Sequence, residues 1–290
     1  MRGLVTLFLC IALTAVSTPS HAARTDNVYL DDYATAEAWQ QDPATGMWHR
    51  SFNTLPSDTN GYRFEPLCLE DKSHQSAPCL EQRDRCTESE GPRLVQWYTG
   101  LLGTERSSWM PLGGPVCIYS EDPVDVLEEI AARIQHQLEQ RPVVAGTVLI
   151  QPSEHTLRGA HTNIYAAAQE QTFDLNMLGQ DVVIRVEPVG YTWTYGDGQS
   201  FGPVADPGGP VPQERWGEQT ATSHVYQDTG DYGIVLTTTF KGYYSVNGGQ
   251  EIPIPNTADF SSAPVAISVW RSVVNNYADN CLDNPEGAGC

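Results

Sequence analysis

Three kinds of side chain here have the chemistry to hold a metal, move a proton or cross-link the chain: histidines, aspartates in turns, and cysteines. His155 and His161 are six residues apart. On one strand that even spacing puts both on one face but about 20 Å apart at roughly 3.3 Å per residue, so one metal takes both only where the chain folds back. Asp197, Asp228 and Asp231 sit in or beside Gly-containing turns, where carboxylate oxygens can converge on a hard cation such as calcium. The commoner use of a turn aspartate is to accept backbone N–H bonds. Calcium is therefore the one cofactor the sequence offers. No G-x-S-x-G, H-E-x-x-H, P-loop or EF-hand pattern occurs. Sugar-cleaving carboxylate pairs leave no local trace. A non-enzymatic protein is the first reading, and an extracellular hydrolase with its site in or beside the N-terminal region is the alternative.

The cysteines point to an oxidising compartment. Cys10 lies in the apolar run at residues 4–16, which follows Arg2 and precedes the Ser-x-Ala stretch ending at Ala22. That is the layout of a signal peptide cleaved near Ala22, too short to span a bilayer. The other six cysteines show no C-x-x-C spacing for zinc, and an even number in an exported chain reads as disulfides. Cys281 and Cys290 flank the turn-rich Asn284-Pro285-Glu286-Gly287 and are expected to pair locally. Cys68, Cys79, Cys86 and Cys117 allow three connectivities, and the sequence chooses none.

Charge narrows the partners. Against 36 acidic residues stand 16 basic ones, a net charge of −20. Such a field repels nucleic acid and anionic membrane surfaces, and no later segment has the length of apolar sequence a membrane helix needs. An extracellular protein or a polysaccharide is the partner class left.

The elements that must position these residues fall into blocks. Residues 23–120 carry four cysteines and much Pro, Asp and Ser without a sustained period, and are expected to form a small, loop-rich region dependent on disulfides. Trp39, Trp48, Trp97 and Trp109 lie in it, as core filler or as a ligand surface. Residues 121–142 read as one amphipathic helix and its connection, with Val126, Ile130, Ile134 and Leu138 along a stripe and Pro142 ending it. From 143 to 275 short β-branched and aromatic runs alternate with turn clusters, the texture of a β-sandwich. The runs are 143–150, 173–175, 182–186, 191–195, 232–240 and 265–274, with Asn247-Gly248-Gly249 as a tight hairpin. Residues 276–290 form a tail.

Two stretches of the β region are specific. In Tyr191-Thr192-Trp193-Thr194-Tyr195-Gly196-Asp197-Gly198, alternation puts the aromatics on one face, expected inward, and Gly-Asp-Gly makes the turn. Then His224-Val225-Tyr226, the turn at Asp228-Thr229-Gly230, and Tyr232, Ile234 and Leu236 mark a central strand. Tyr226 is placed for its hydroxyl to tie back to nearby backbone, a tyrosine-corner-like device. These residues, W-x-Y-G-D-G followed by H-x-Y and G-x-Y-x-I-x-L, resemble the PKD domain, an immunoglobulin-like sandwich of exported and cell-surface proteins. The resemblance implies that Trp193, Tyr195, Gly196, Asp197, Gly198, His224, Tyr226, Gly230 and Tyr232 are structural. It also implies a role in protein or carbohydrate contact or as a spacer. The chain departs from the pattern in the 25 residues, 199–223, between the two motifs. That insertion, with Trp216, reads either as a site of function or subunit contact or as a disordered decoration.

Overall fold

The computed structural model describes residues 35–41, 48–54, 60–67, 85–86, 92–120, 122–273 and 281–287, the first two segments as backbone. The chain is mainly β. Two strands organise it: β10 (Gln180–Thr194) and β13 (Gly230–Val246), paired antiparallel from Val182↔Val246 to Thr194↔Val235. Both are too long for one small core, and they serve two.

The sequence reads β10 as two strands broken at Pro188-Val189-Gly190. It is instead one strand with a bulge, the register shifting between Pro188 and Gly190. Proline has no N–H for the ladder, so a bulge is where a strand accommodates it. The extra residue has a consequence for packing. Before it the buried positions are Val182, Ile184 and Val186; after it they are Tyr191, Trp193 and Tyr195. The parity changes, and so both sets meet the same inward face of β13, whose buried apolar side chains stay at even positions from Ile234 to Val246.

The first core lies over the start of β10 and the end of β13. It is joined by β9 (Gln171–Met177) and β14 (Ile252–Ser261) in the same sheet and covered by α1 (Pro123–Glu139). Asp122 caps α1, its carboxylate accepting the N–H groups of Val124 and Asp125. The buried stripe is Pro123, Leu127, Ile130, Ile134 and Leu138; Leu127 takes the place expected for Val126, which is only half-buried. Gly242 of β13 lets the helix sit close: a Cβ there would lie 2.9 Å from both Leu138 Cδ2 and Ile254 Cδ1.

The N-terminal region differs from its loop-rich expectation. β3 (Asn60–Pro66), β4 (Pro92–Leu101) and β5 (Met110–Tyr119) form an antiparallel sheet that gives Phe64, Val95, Trp97, Val116 and Ile118 to the same core. Its period-2 signal is blurred because β4 is buried along successive positions, Leu94 to Trp97. Trp97 and Trp109 are both buried, the core-filling reading. Gln180 joins this sheet to β10, accepting from Tyr119 N–H (2.9 Å) and donating to Tyr119 O (3.0 Å). Cys86 pairs with Cys117, and Cys281 is also disulfide-bonded. Cys68, Cys79 and Cys290 lie outside the described residues, as do Trp39 and Trp48 as side chains. Residues 1–22, expected to be a signal peptide, lie outside them too.

The second core is a sandwich. β6 (Thr147–Gln151), β8 (His161–Ala167) and β12 (His224–Val225) form a three-stranded sheet facing the other half of β10 and β13. β11 (Ser200–Val204), β15 (Val265–Trp270) and β7 (His155–Leu157) extend the large sheet there. Val148, Ile164, Trp193, Tyr226, Leu236 and Ile267 fill the space between. At the junction of the two cores the buried Thr238 hydroxyl donates to Ala145 O. On the β11 side, the hairpin β1 (Thr35–Gln41) and β2 (Trp48–Thr54) lengthens the large sheet. The Asn247-Gly248 turn has positive φ at both residues, as expected. Among the described residues no helix is long and apolar enough to cross a membrane.

Gly242→Val is expected to lower stability by roughly 1–3 kcal/mol, the usual cost of overpacking a filled core. Urea unfolding followed by tryptophan fluorescence checks it; an unchanged midpoint would refute the close helix–sheet contact.

Candidate functional site

The turn between β10 and β11 brings the motif residues together. Gly196 and Gly198 hold φ of 82° and 87°, and a Cβ on Gly196 would lie 2.9 Å from the Gly233 backbone, so glycine is required at that point. Between them Asp197 accepts from Gln199 N–H (3.0 Å) through one oxygen and from His224 Nε2–H (2.7 Å) through the other. The His224 ring stacks on Tyr195 at 3.8 Å and meets Tyr226 edge-on at 4.6 Å. Tyr226 in turn stacks on Tyr232 at 4.8 Å.

The hydroxyls correct one expectation. Tyr226 does not tie back locally; it donates across to Tyr195 O, 31 residues upstream (3.2 Å). Tyr232 makes the local tie, donating to Asp228 O four residues before it (3.2 Å). Spacing alone cannot separate two tyrosines on either side of one turn. Burial raises the pKa of Tyr195 and of Tyr226 well above the usual phenol range, with nearby charge adding to it, so both stay protonated donors. Burial pushes the Asp197 carboxyl up, but the His224 hydrogen bond, the Gln199 N–H and the His224 charge together outweigh it and hold it below its ordinary value.

The three aspartates considered for calcium are not brought to one point. Asp197 is engaged as above, Asp231 accepts from Ser268 Oγ (2.6 Å), and Asp228 contributes its carbonyl to Tyr232. Among the described residues no three His, Cys, Asp or Glu side chains gather where a metal would bind.

The histidines do come together, because the chain folds back. β7 ends at Leu157, the Leu157–Ala160 turn closes (Ala160 N–H to Leu157 O, 3.1 Å), and His161 opens β8 in the opposite sheet. His155 and His161 thus line one cleft of about 340 Å³ at the sandwich edge, with Leu157, Pro152, Trp216 and Trp270. Leu157, Trp216 and Trp270 are 46%, 41% and 61% exposed, far beyond what large apolar side chains show in a core. His155 packs edge-on against Trp270 at 5.6 Å. His161 Nδ1 is 3.4 Å from Ser223 Oγ, but that hydroxyl belongs to its own turn, accepting from Thr220 N–H and donating to Thr220 O. It is not an activated nucleophile.

Trp216 reaches the cleft because the insertion is ordered by two amides that sequence reading missed. Gln151 and Asn163 face each other across β6 and β8. Gln151 accepts from Val211 N–H (2.8 Å) and donates to Val211 O (3.2 Å); Asn163 donates to Gly209 O (2.9 Å) and accepts from Thr220 Oγ1 (2.7 Å). The 199–223 insertion is thus one strand, β11, and a loop pinned at three points. No known protein family, curated protein or solved structure matches the chain.

Two outcomes follow. A carboxylate held below its ordinary range stabilises the fold above about pH 4, and that contribution vanishes as pH falls through the lowered value. Asp197→Asn is therefore expected to melt at lower temperature than wild type near neutrality, the gap closing toward pH 2, read by circular dichroism. Asn163→Ala should lose roughly 1–3 kcal/mol by leaving buried partners unpaired, and amide exchange at residues 209–220 should accelerate while exchange in β13 does not.

Proposed function

We propose that this chain is an exported, non-enzymatic binding protein, built on an immunoglobulin-like sandwich of PKD type. It meets an extracellular protein or carbohydrate at the sandwich edge, after removal of residues 1–22. The observation that carries the reading is the exposure of Trp216, Trp270 and Leu157 around one cleft. Clustered, exposed aromatic side chains mark contact surfaces, and tryptophan is the residue most enriched among those that dominate binding energy. Support for the PKD assignment comes from how its motif residues behave. Trp193 is fully buried, Asp197 and His224 close the β10–β11 turn, and Tyr226 and Tyr232 lock the entry to β13. None faces the cleft, so fold and contact surface are separate. The polar network supports the non-enzymatic reading: its tyrosines stay protonated, and its Asp–His pair is enclosed by rings rather than aimed at a cleft.

The test is retention of the full chain on immobilised extracellular proteins and on insoluble polysaccharides, beside Trp216→Ala and Trp270→Ala. Each substitution is expected to weaken retention by roughly thirtyfold, the effect of losing about 2 kcal/mol at a hot spot. Retention that both variants keep would place the contact elsewhere.

A further inference from the structure

The chain carries 36 acidic residues against 16 basic ones, yet its basic residues are not scattered evenly. Beyond residue 142 there are five: Arg158, Arg185, Arg215, Lys241 and Arg271. Two are engaged away from the cleft. Arg185 is surrounded by Glu170, Glu187 and Glu251 and lies over the Tyr243 ring, and Lys241 is buried. The other three are exposed, and each is the sequence neighbour of an exposed apolar residue of the cleft: Arg158 follows Leu157, Arg215 precedes Trp216, and Arg271 follows Trp270. Arg215 is neutralised by Glu218 at 2.8 Å. Arg158 and Arg271 have no ion-pair partner among the described residues. They are also adjacent in space along the β7–β15 edge, where Arg158 N–H donates to Trp270 O (2.7 Å).

We infer that the cleft takes a peptide segment of a partner protein, one that inserts a bulky apolar side chain and places a carboxylate beside it on Arg158 and Arg271. This rests on the contact-surface reading above and names its occupant. The interior of the cleft selects an apolar group. Its walls are mostly Trp216, Trp270, Leu157 and Pro152, with the His155 and His161 rings as the polar side chains and Thr156 turning its hydroxyl to Thr162 (2.7 Å). Two imidazoles cannot partner the several hydroxyls of a sugar ring, so a ring buried there would leave the others unpaired, each at a cost in affinity. An aromatic or leucine side chain loses nothing polar. Outside the lining, one residue beyond Leu157 and Trp270, the exposed Arg158 and Arg271 supply guanidinium groups, whose fork geometry binds carboxylates in two-bond fashion. The acidic field of the rest of the molecule does not forbid this, because at physiological salt charges are screened beyond about 8 Å and the local sign decides.

The experiment is a selection of random twelve-residue peptides, displayed on beads, against the full chain, followed by affinity measurement on the enriched peptides. Parallel arms use polygalacturonate and a neutral β-glucan as probes. The expected result is enrichment of peptides with an aromatic residue or leucine within two positions of Asp or Glu. Their Kd should rise by about tenfold or more in the double variant Arg158→Gln/Arg271→Gln and in 1 M salt. The double variant should melt with wild type, since both side chains are exposed. Enriched peptides without an acidic residue, or affinities unchanged in the double variant, would overturn the inference. Binding of either polysaccharide through Trp216 and Trp270 without peptide enrichment would also overturn it, while leaving the contact surface standing. Absence of binding by every probe would remove both.

Discussion

Both cores depend on the register between β10 and β13. Val182 opposite Val246 and Trp193 opposite Leu236 belong to different clusters, beneath different covers, yet one uninterrupted inward face of β13 serves both. That is possible only because β10 gains a residue at the bulge. Without Val189, the aromatic half of β10 would turn its rings to the outside while its aliphatic half stayed correct. A proline that cannot join the ladder and a glycine that tolerates the bend supply the irregularity where the two cores meet. The buried Thr238 lies at the same level and satisfies its hydroxyl on the chain that leaves α1.

The same arrangement separates what is rigid from what is offered. The Asp197–His224 pair and its tyrosines sit where β10, β12 and β13 converge, so their hydrogen bonds and ring contacts fix how the two sheets of the sandwich approach. The cleft sits at the opposite kind of place, an edge where β7 is short and the chain crosses between sheets. Short edge strands resist unwanted pairing with other chains. Covering such an edge with a loop held by Gln151 and Asn163 leaves a defined side-chain surface in place of bare backbone.

How far this was legible in the residues varies with the range of the interaction. Helix α1 was legible because its stripe and cap are local, and even there the choice between Val126 and Leu127 needed the sheet beneath. The inward set Tyr191, Trp193 and Tyr195 was legible from alternation. The continuity of β10 was not, since a proline looks the same whether it ends a strand or sits in a bulge. The strands of the N-terminal region were hidden because β4 is buried on both faces and shows no alternation. For the cleft, Trp216 drew notice through its unusual loop, whereas Trp270 lay within the ordinary strand run 265–274. His155 and His161 were weighed together, but only the turn at Leu157–Ala160 decides that they line one cleft. Gln151 and Asn163 carry no sequence signal: a glutamine and an asparagine become a clamp only when opposed.

The first core joins Phe64 and Val95 to Ile252, Ile254 and Ala258. Its parts are therefore made at nearly opposite ends of synthesis. A growing chain has α1 and the N-terminal strands long before it has the surface they cover, and contacts of such sequence separation form slowly. The molecule cannot mature piece by piece from its leading end; it closes late, when β13 and β14 arrive. Under the export proposed above, this delay would keep the chain open while it is threaded through a narrow passage, a consequence of the order of its strands.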